Sequence, residues 1–351
     1  MNKYIYFIVA MFMILGTTEL TFAGNPDRQG EAGAGELLFN PWARSAGLHS
    51  MTTSFVSGVE AMRINVAGIG RIEGRELVLG NTQLYQGSTL SLNSVGYAQK
   101  TGSNGAFAVT LATVDFGDIN ITTENQPEGT GGTYSPSFFN LGLGYAHTYD
   151  NKISVGFLVR VISESLSNIN AFGAALDAGV QYVSGENDNF KLGIALRNIG
   201  TPMRFGGEGL SRRVTSPQND NPDFALEFAV KAQTYELPSL LNIGLSYDLY
   251  VMEDSYLRGL VNFTSNAFSR DNIGAGVEFN YNNLVELRAG YRYELNSADS
   301  VTKNIYTGVS AGASIYLPLS KSGATRLGLD YAYRTTDPFR GTHNFGVRLI
   351  F

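Results

Sequence analysis

The 351 residues contain no cysteine, so no disulfide supports this fold, and no lipid can be attached through a cysteine after a leader. Charge is scarce: Asp, Glu, Lys and Arg make up 16% of the chain, against roughly 25% in soluble domains. Beyond the N-terminal segment there is no apolar run of about 20 residues, the length a membrane-spanning helix needs, so helical spans are excluded. Histidine is nearly absent. His147 and His343 fall near strand ends and read as interfacial or loop polarity, and His49 is the third. There is no H-E-x-x-H, and no G-x-S-x-G or Walker pattern between a strand and a helix. No catalytic, metal or cofactor site is therefore expected, and the chain reads as non-enzymatic. Its formal net charge of −6 argues against a nucleic-acid partner.

Glycine (41), tyrosine (19) and phenylalanine (21) are plentiful, and the sequence alternates. Residues 1–23 read as a secretory signal: Lys3, a short apolar core, then Thr21-Phe22-Ala23 before Gly24. Residues 24–75 do not alternate cleanly and are expected to form an irregular, plug-like segment at the periplasmic mouth or in the lumen of a barrel. From residue 76 onward, period-two alternation persists. Ile153, Val155, Phe157, Val159 and Val161 oppose Ser154, Gly156 and Arg160; Leu241, Ile243, Leu245 and Tyr247 oppose Asn242, Ser246 and Asp248. One face is apolar with Tyr near strand ends, as lipid and its interfaces require; the other mixes small and charged residues.

The expected fold is all-β: a transmembrane antiparallel β-barrel of about 14 strands in outer-membrane lipid. The strands are expected to begin near residues 76, 88, 105, 136, 152, 171, 188, 239, 255, 271, 284, 304, 324 and 342, tight links alternating with longer ones. Parity requires residues 201–237 to be one large extracellular loop, with the strand-like part from Phe224 onward in a hairpin inside it. Another long link is expected at 163–170.

The last eight residues, N-F-G-V-R-L-I-F, put Phe345, Val347, Leu349 and Phe351 on one face and Gly346, Arg348 and Ile350 on the other. Such a strand must pair with the first strand to leave no open edge in lipid. Asn344, Gly346, Leu349 and Phe351 resemble the C-terminal signal that barrel-insertion machinery reads. Inward charges at Arg160, Asp177, Glu286, Arg288, Arg292, Arg326, Asp330 and Arg348 admit two readings, an ion-selective path or a salt-bridged lumen that fixes strand register. The large loop carries Met203, Phe205, Arg212, Arg213, Phe224 and Phe228, and exposed aromatics with paired arginines are what a protein-binding surface uses.

Five segments, taken together, resemble one family. A-G-A-G-E-L-L-F-N-P-W-A-R-S-A-G-L at 32–48 is similar to the N-terminal signature of the PorV/PorQ family, and I-N-V-A-G-I-G-R-I-E-G-R-E-L at 64–77 to its second segment. F-K-L-G-I-A-L-R-N-I-G at 190–200, L-R-A-G-Y-R at 287–292 and L-G-L-D-Y-A-Y at 327–333 resemble three of its strands. The resemblance implies a barrel like the fatty-acid transporter FadL. It also implies a role in the type IX secretion system of Bacteroidota, binding secreted cargo proteins beside the translocon. The alternative is a FadL-like passive channel for hydrophobic small molecules.

Overall fold

Alternating side chains build strands, and strands with one apolar face close on themselves when both edges can pair. The computed structural model describes residues 26–215, 225–252, 254–295, 304–320 and 325–351. Its strands are β1 (Arg75–Gln83), β2 (Ser91–Thr101), β3 (Gly105–Asp115), β4 (Ile119–Asn120), β5 (Thr133–Tyr134), β6 (Ser137–Tyr149), β7 (Ile153–Leu166), β8 (Ile169–Ser184), β9 (Phe190–Gly200), β10 (Ser211–Thr215), β11 (Ala225–Ala229), β12 (Leu240–Met252), β13 (Ser255–Asn266), β14 (Asn272–Tyr281), β15 (Val285–Glu294), β16 (Tyr306–Pro318), β17 (Arg326–Thr336) and β18 (Thr342–Ile350). Fourteen of them form one closed antiparallel barrel; β4–β5 and β10–β11 are two-stranded hairpins within long links. Each barrel strand begins within three residues of its expected position.

Closure runs through β1 and β18, in register from Glu76↔Ile350 to Gln83↔His343. The ladder continues one residue further: Phe351 N–H donates to Arg75 O (3.0 Å), and Arg75 N–H donates to Phe351 O (2.8 Å). The outward face is apolar along every barrel strand, with Phe157 65% and Phe172 68% exposed. That face is stable only against hydrocarbon.

One expectation changes. The link at 163–170 is not long: β7 and β8 run on to Leu166 and from Ile169, paired to their tips, leaving a tight turn in which Ser167 takes a positive φ of 53°. Of the two places expected for the segment before β1, the mouth and the lumen, it occupies the lumen. Its two ends lie at opposite ends of the barrel. Gly33 N–H donates to Glu236 O (3.0 Å) at the long-loop end, and the Arg71 guanidinium donates to the carbonyls of Asn151 (2.9 Å) and Lys152 (2.8 Å) in the tight β6–β7 turn. The expected signal at 1–23 lies outside the described residues, as do parts of the expected links at 201–237, 251–254, 295–304 and 320–323.

The plug is a chain of short helical turns: Gly35–Leu38, Ala43–Ala46, Gly58–Glu60, Ala61–Ile64 and Val66–Arg71. Turns this short leave many backbone groups unpaired, and side chains of both wall and plug bond to the free carbonyls. Gln181 donates to the carbonyls of Thr53 (3.2 Å) and Val56 (2.9 Å), while Asn65 donates to Thr53 O (2.9 Å) and Val180 O (3.1 Å). Trp42, Val59, Met62, Ile64 and Ile69 pack with Leu158 and Ala108 of the wall into the largest apolar cluster. Inward glycines let the two backbones touch. A Cβ on Gly156 would lie 2.6 Å from the Val66 carbonyl carbon, and one on Gly193 2.2 Å from Thr53 O. Much of the glycine richness is thus the footprint of the plug on the wall.

Candidate functional site

The lumen charges separate into two groups. The first is one continuous network in the half of the barrel nearer the tight turns. Arg348 bonds Glu60, Glu76 and Asp330. Asp330 accepts from Ser314 Oγ, which accepts from Arg288 (2.8 Å). Arg288 pairs with Glu286 and Glu278 (3.1 Å to the latter), and Glu286 pairs with Arg44 of the plug (3.0 Å). Glu278 pairs with Arg258 (2.8 Å), Arg258 with Asp248 (2.5 Å), and Asp248 with Lys191. Elsewhere Arg160 pairs with Asp177 (3.1 Å) and also donates to Met62 O (3.0 Å) and Asn140 Oδ1 (3.1 Å). Every carboxylate in this network has a cation within reach, as burial of charge demands.

Of the eight inward charges expected from the sequence, Arg160, Asp177, Glu286, Arg288, Asp330 and Arg348 join ion pairs. Arg292 and Arg326 make no ion pair among the described residues, and each lines a cavity instead. Alternation sets Lys191 and Asp248 on the inward face without singling them out as network charges, and sequence reasoning missed Arg258, Glu278 and Glu76 of the wall and Arg44 and Glu60 of the plug. The wall residues lie on the small-residue face of their strands, which alternation alone locates; the plug residues carry no periodic signal.

The second group lies at the long-loop end, around a cavity of about 320 Å³ between plug and wall. Arg63, Arg197 and Arg292 line it with His49 and several asparagines, and no Asp or Glu does. Arg63 is held by two plug carbonyls, Phe39 O (2.8 Å) and Glu36 O (2.5 Å), not by a carboxylate side chain. Arg197 is 7% exposed and its Nε has no partner. Burial, reinforced by Arg292 and Arg334, holds His49 well below the usual imidazole range, so it is neutral. Beside the cavity, burial and the adjoining Glu164 lift the Glu36 carboxyl to about 7. A smaller cavity of about 240 Å³ at the opposite end is lined by Arg44, Arg71 and Arg326 but also by Glu73, Glu76 and Glu286.

The remaining candidates divide. Asn344 is fully buried and donates to Asn40 O (3.0 Å) and Thr82 Oγ1 (2.5 Å), tying the closing strand to plug and first strand. Gly346 faces Asp330 and Ala43, Leu349 is half-buried, and Phe351 points outward. Met203 and Phe205 correct the expectation of exposed anchors. Met203 is 1% exposed and packs on Leu37, Ile162 and Leu237; Phe205 is half-buried against Tyr235 at 5.8 Å. Their loop base is drawn inward because Met203 and Tyr235 exchange two backbone hydrogen bonds (2.9 Å each) over the plug's N-terminal end. Arg212, Arg213 and Phe228 stand exposed on the β10–β11 hairpin, and Phe224 lies outside the described residues.

No family model and no curated protein matches the chain. Solved structures do match in fold. The Pseudomonas putida toluene transporter TodX is 14% identical, with 87% of this chain and 96% of that one covered, at a TM-score of 0.52. The Ralstonia pickettii toluene transporter TbuX is 13% identical, covering 89% and 97%, at 0.54. A Pseudomonas aeruginosa FadL homologue is 12% identical, covering 88% and 96%, at 0.51. At these identities the likeness is one of architecture.

Proposed function

We propose that the protein is a plugged channel of the bacterial outer membrane, admitting small molecules past a plug that shifts within the barrel. The observation that carries this reading is the filled lumen: plug residues 34–74 pack on the wall, and the two cavities between plug and wall lie at opposite ends. The likeness to barrels named as toluene transporters supports the transport class. Hydrophobic passengers of that kind find no apolar chamber in these two cavities, so the passenger is open to a different chemistry. Ser54 Oγ of the plug lies 2.9 Å from Ser246 Oγ of β12, and the chain has no cysteine to interfere. A Ser54→Cys/Ser246→Cys variant in liposomes should admit small solutes when reduced and exclude them when oxidised. Wild-type protein that admits no solute at all would sink the channel reading.

A second reading has its own observation. The β10–β11 hairpin exposes Arg212, Arg213, Leu226, Phe228 and Val230 at the long-loop end. This is where a secreted cargo protein or a translocon subunit of type IX secretion would dock, as the likeness to the PorV/PorQ family implies. Replacing residues 211–229 with a short Gly/Ser link keeps buried Met203 and Leu237, so the barrel should fold, since stability depends weakly on loop length. Loss of co-purified partner and retention of cargo in the periplasm are the expected results; normal surface display of cargo rules the reading out.

A further inference from the structure

Four arginines with no carboxylate partner among the described residues lie together at one end of the lumen. Arg63, Arg197 and Arg292 line the 320 Å³ cavity. Arg334 lies beside it, its guanidinium 4.7 Å from the ring of Tyr306, which also lines the space. The acidic groups nearby form no ion pair with these arginines among the described residues. Asp177 accepts from Arg160 (3.1 Å) and from Asn198 N–H (2.6 Å). Glu36 offers Arg63 its backbone carbonyl. Glu164 accepts from Tyr235 Oη (2.7 Å). Glu294, at the end of β15, lines an adjoining space of about 310 Å³ together with Arg292 and attracts it, but the two form no ion pair among the described residues. Buried cations without a directly paired carboxylate are costly, and a buried guanidinium N–H without an acceptor, as at Arg197 Nε, forfeits a hydrogen bond. The rest of the lining adds neutral groups: the Asn242 amide, whose Oδ1 accepts from Thr264 (2.7 Å), can turn its N–H protons to an oxygen anion, whereas Asn40 gives its protons to Ser45 and Ser50 (2.9 Å each) and Asn266 gives one to Arg270 O (2.7 Å).

We propose that this cavity is a binding site for a small hydrophilic oxyanion, a solute bearing carboxylate or phosphate groups. Its volume falls at the small end of the roughly 300–1,000 Å³ typical of small-molecule sites. Arg292, projecting from β15 near the rim, meets the anion first; Arg63 and Arg197 hold its inner end. The site deepens the channel reading, which is needed only to call the anion a passenger; binding itself stands without it.

Titration calorimetry on the full chain in detergent tests this, with citrate and inorganic phosphate as the two oxyanion arms. Benzoate and toluene form a third comparison, one ring with and without the carboxylate. Citrate or phosphate should bind, and benzoate should bind more tightly than toluene. Arg292→Gln should weaken the oxyanion roughly tenfold or more, Arg292→Lys should recover most of the loss, and Arg326→Gln in the opposite cavity should leave binding unchanged. Arg197→Gln is the deeper variant; its heat-modifiable mobility reports whether it folds, and Arg292→Gln carries the test if it does not. The site is overturned if wild-type protein binds neither citrate nor phosphate at about 10 mM, or if the Arg292→Gln variant binds them as tightly as wild type. Oxyanion binding without entry of the oxyanion into liposomes overturns its role as passenger and leaves the site standing; entry of no solute at all overturns the channel reading.

Discussion

The two ends of the lumen use the same residue type in opposite ways. Near the tight turns, Arg44, Arg258, Arg288 and Arg348 are each clamped by carboxylates, and the cavity there carries three arginines and three glutamates. Near the long loops, Arg63, Arg197, Arg292 and Arg334 have no carboxylate partner among the described residues, and the cavity lining holds cations without a carboxylate. An arginine in a ladder of ion pairs fixes strand register and anchors the plug. An arginine facing an open cavity without a counter-ion is available to something that arrives. Ion-paired and unpaired arginines are thus segregated along the barrel axis.

Substitutions of matched kind at the two ends should expose that contrast. Arg288→Met leaves Glu278 and Glu286 buried beside the gap and should cost about 3–5 kcal/mol in urea unfolding. The account fails at this point if the variant unfolds like wild type. Gly156→Leu drives a side chain into the Val66–Ala67 backbone. It should cost about 1–3 kcal/mol by overpacking, or displace the plug and raise solute leakage into liposomes. An unchanged barrel with unchanged leakage would mean that the plug does not lie where β7 places it. Arg292→Met breaks no ion pair and should change stability by less than about 1 kcal/mol. A loss as large as that of Arg288→Met would show that Arg292 is structural.

The smallest effect is titration of Glu36. Its carboxyl is raised from an ordinary 4.5 to about 7, first by burial and then by Glu164. A raised acid favours the folded contact while neutral. That contribution is complete below about pH 4.5, falls as pH rises, and is gone above about pH 7. Rate-corrected hydrogen exchange of residues 34–37 should therefore quicken across that window in wild type and stay level in Glu36→Gln. Equal pH dependence in both proteins would assign the change to another group.

Sequence alternation made the wall readable because a strand with lipid on one side must repeat every two residues. That is why Phe157, Leu245 and Val347 could be placed outward without coordinates. The plug could not be read the same way. Glycine at 156 or 193 announces space, not the backbone that fills it, and Glu60 and Arg44 sit in short turns without a period. Charge placement was half legible. Alternation puts Arg288, Asp330 and Arg348 inside, but which of the inward arginines lack partners depends on cross-strand register and on the plug. Met203 shows the remaining limit: in a loop, a large apolar residue reads equally well as a docking anchor or as packing, and here Leu37, Ile162 and Leu237 enclose it.

The segregation of paired from unpaired arginines is tested most directly by locating an oxyanion in crystals of the protein soaked with selenate. The account predicts an anomalous selenium peak inside the cavity bounded by Arg63, Arg197 and Arg292, absent from Arg292→Gln crystals, with none in the cavity lined by Glu73, Glu76 and Glu286. Selenate found only on the outer surface, or in the carboxylate-lined cavity instead, would contradict it.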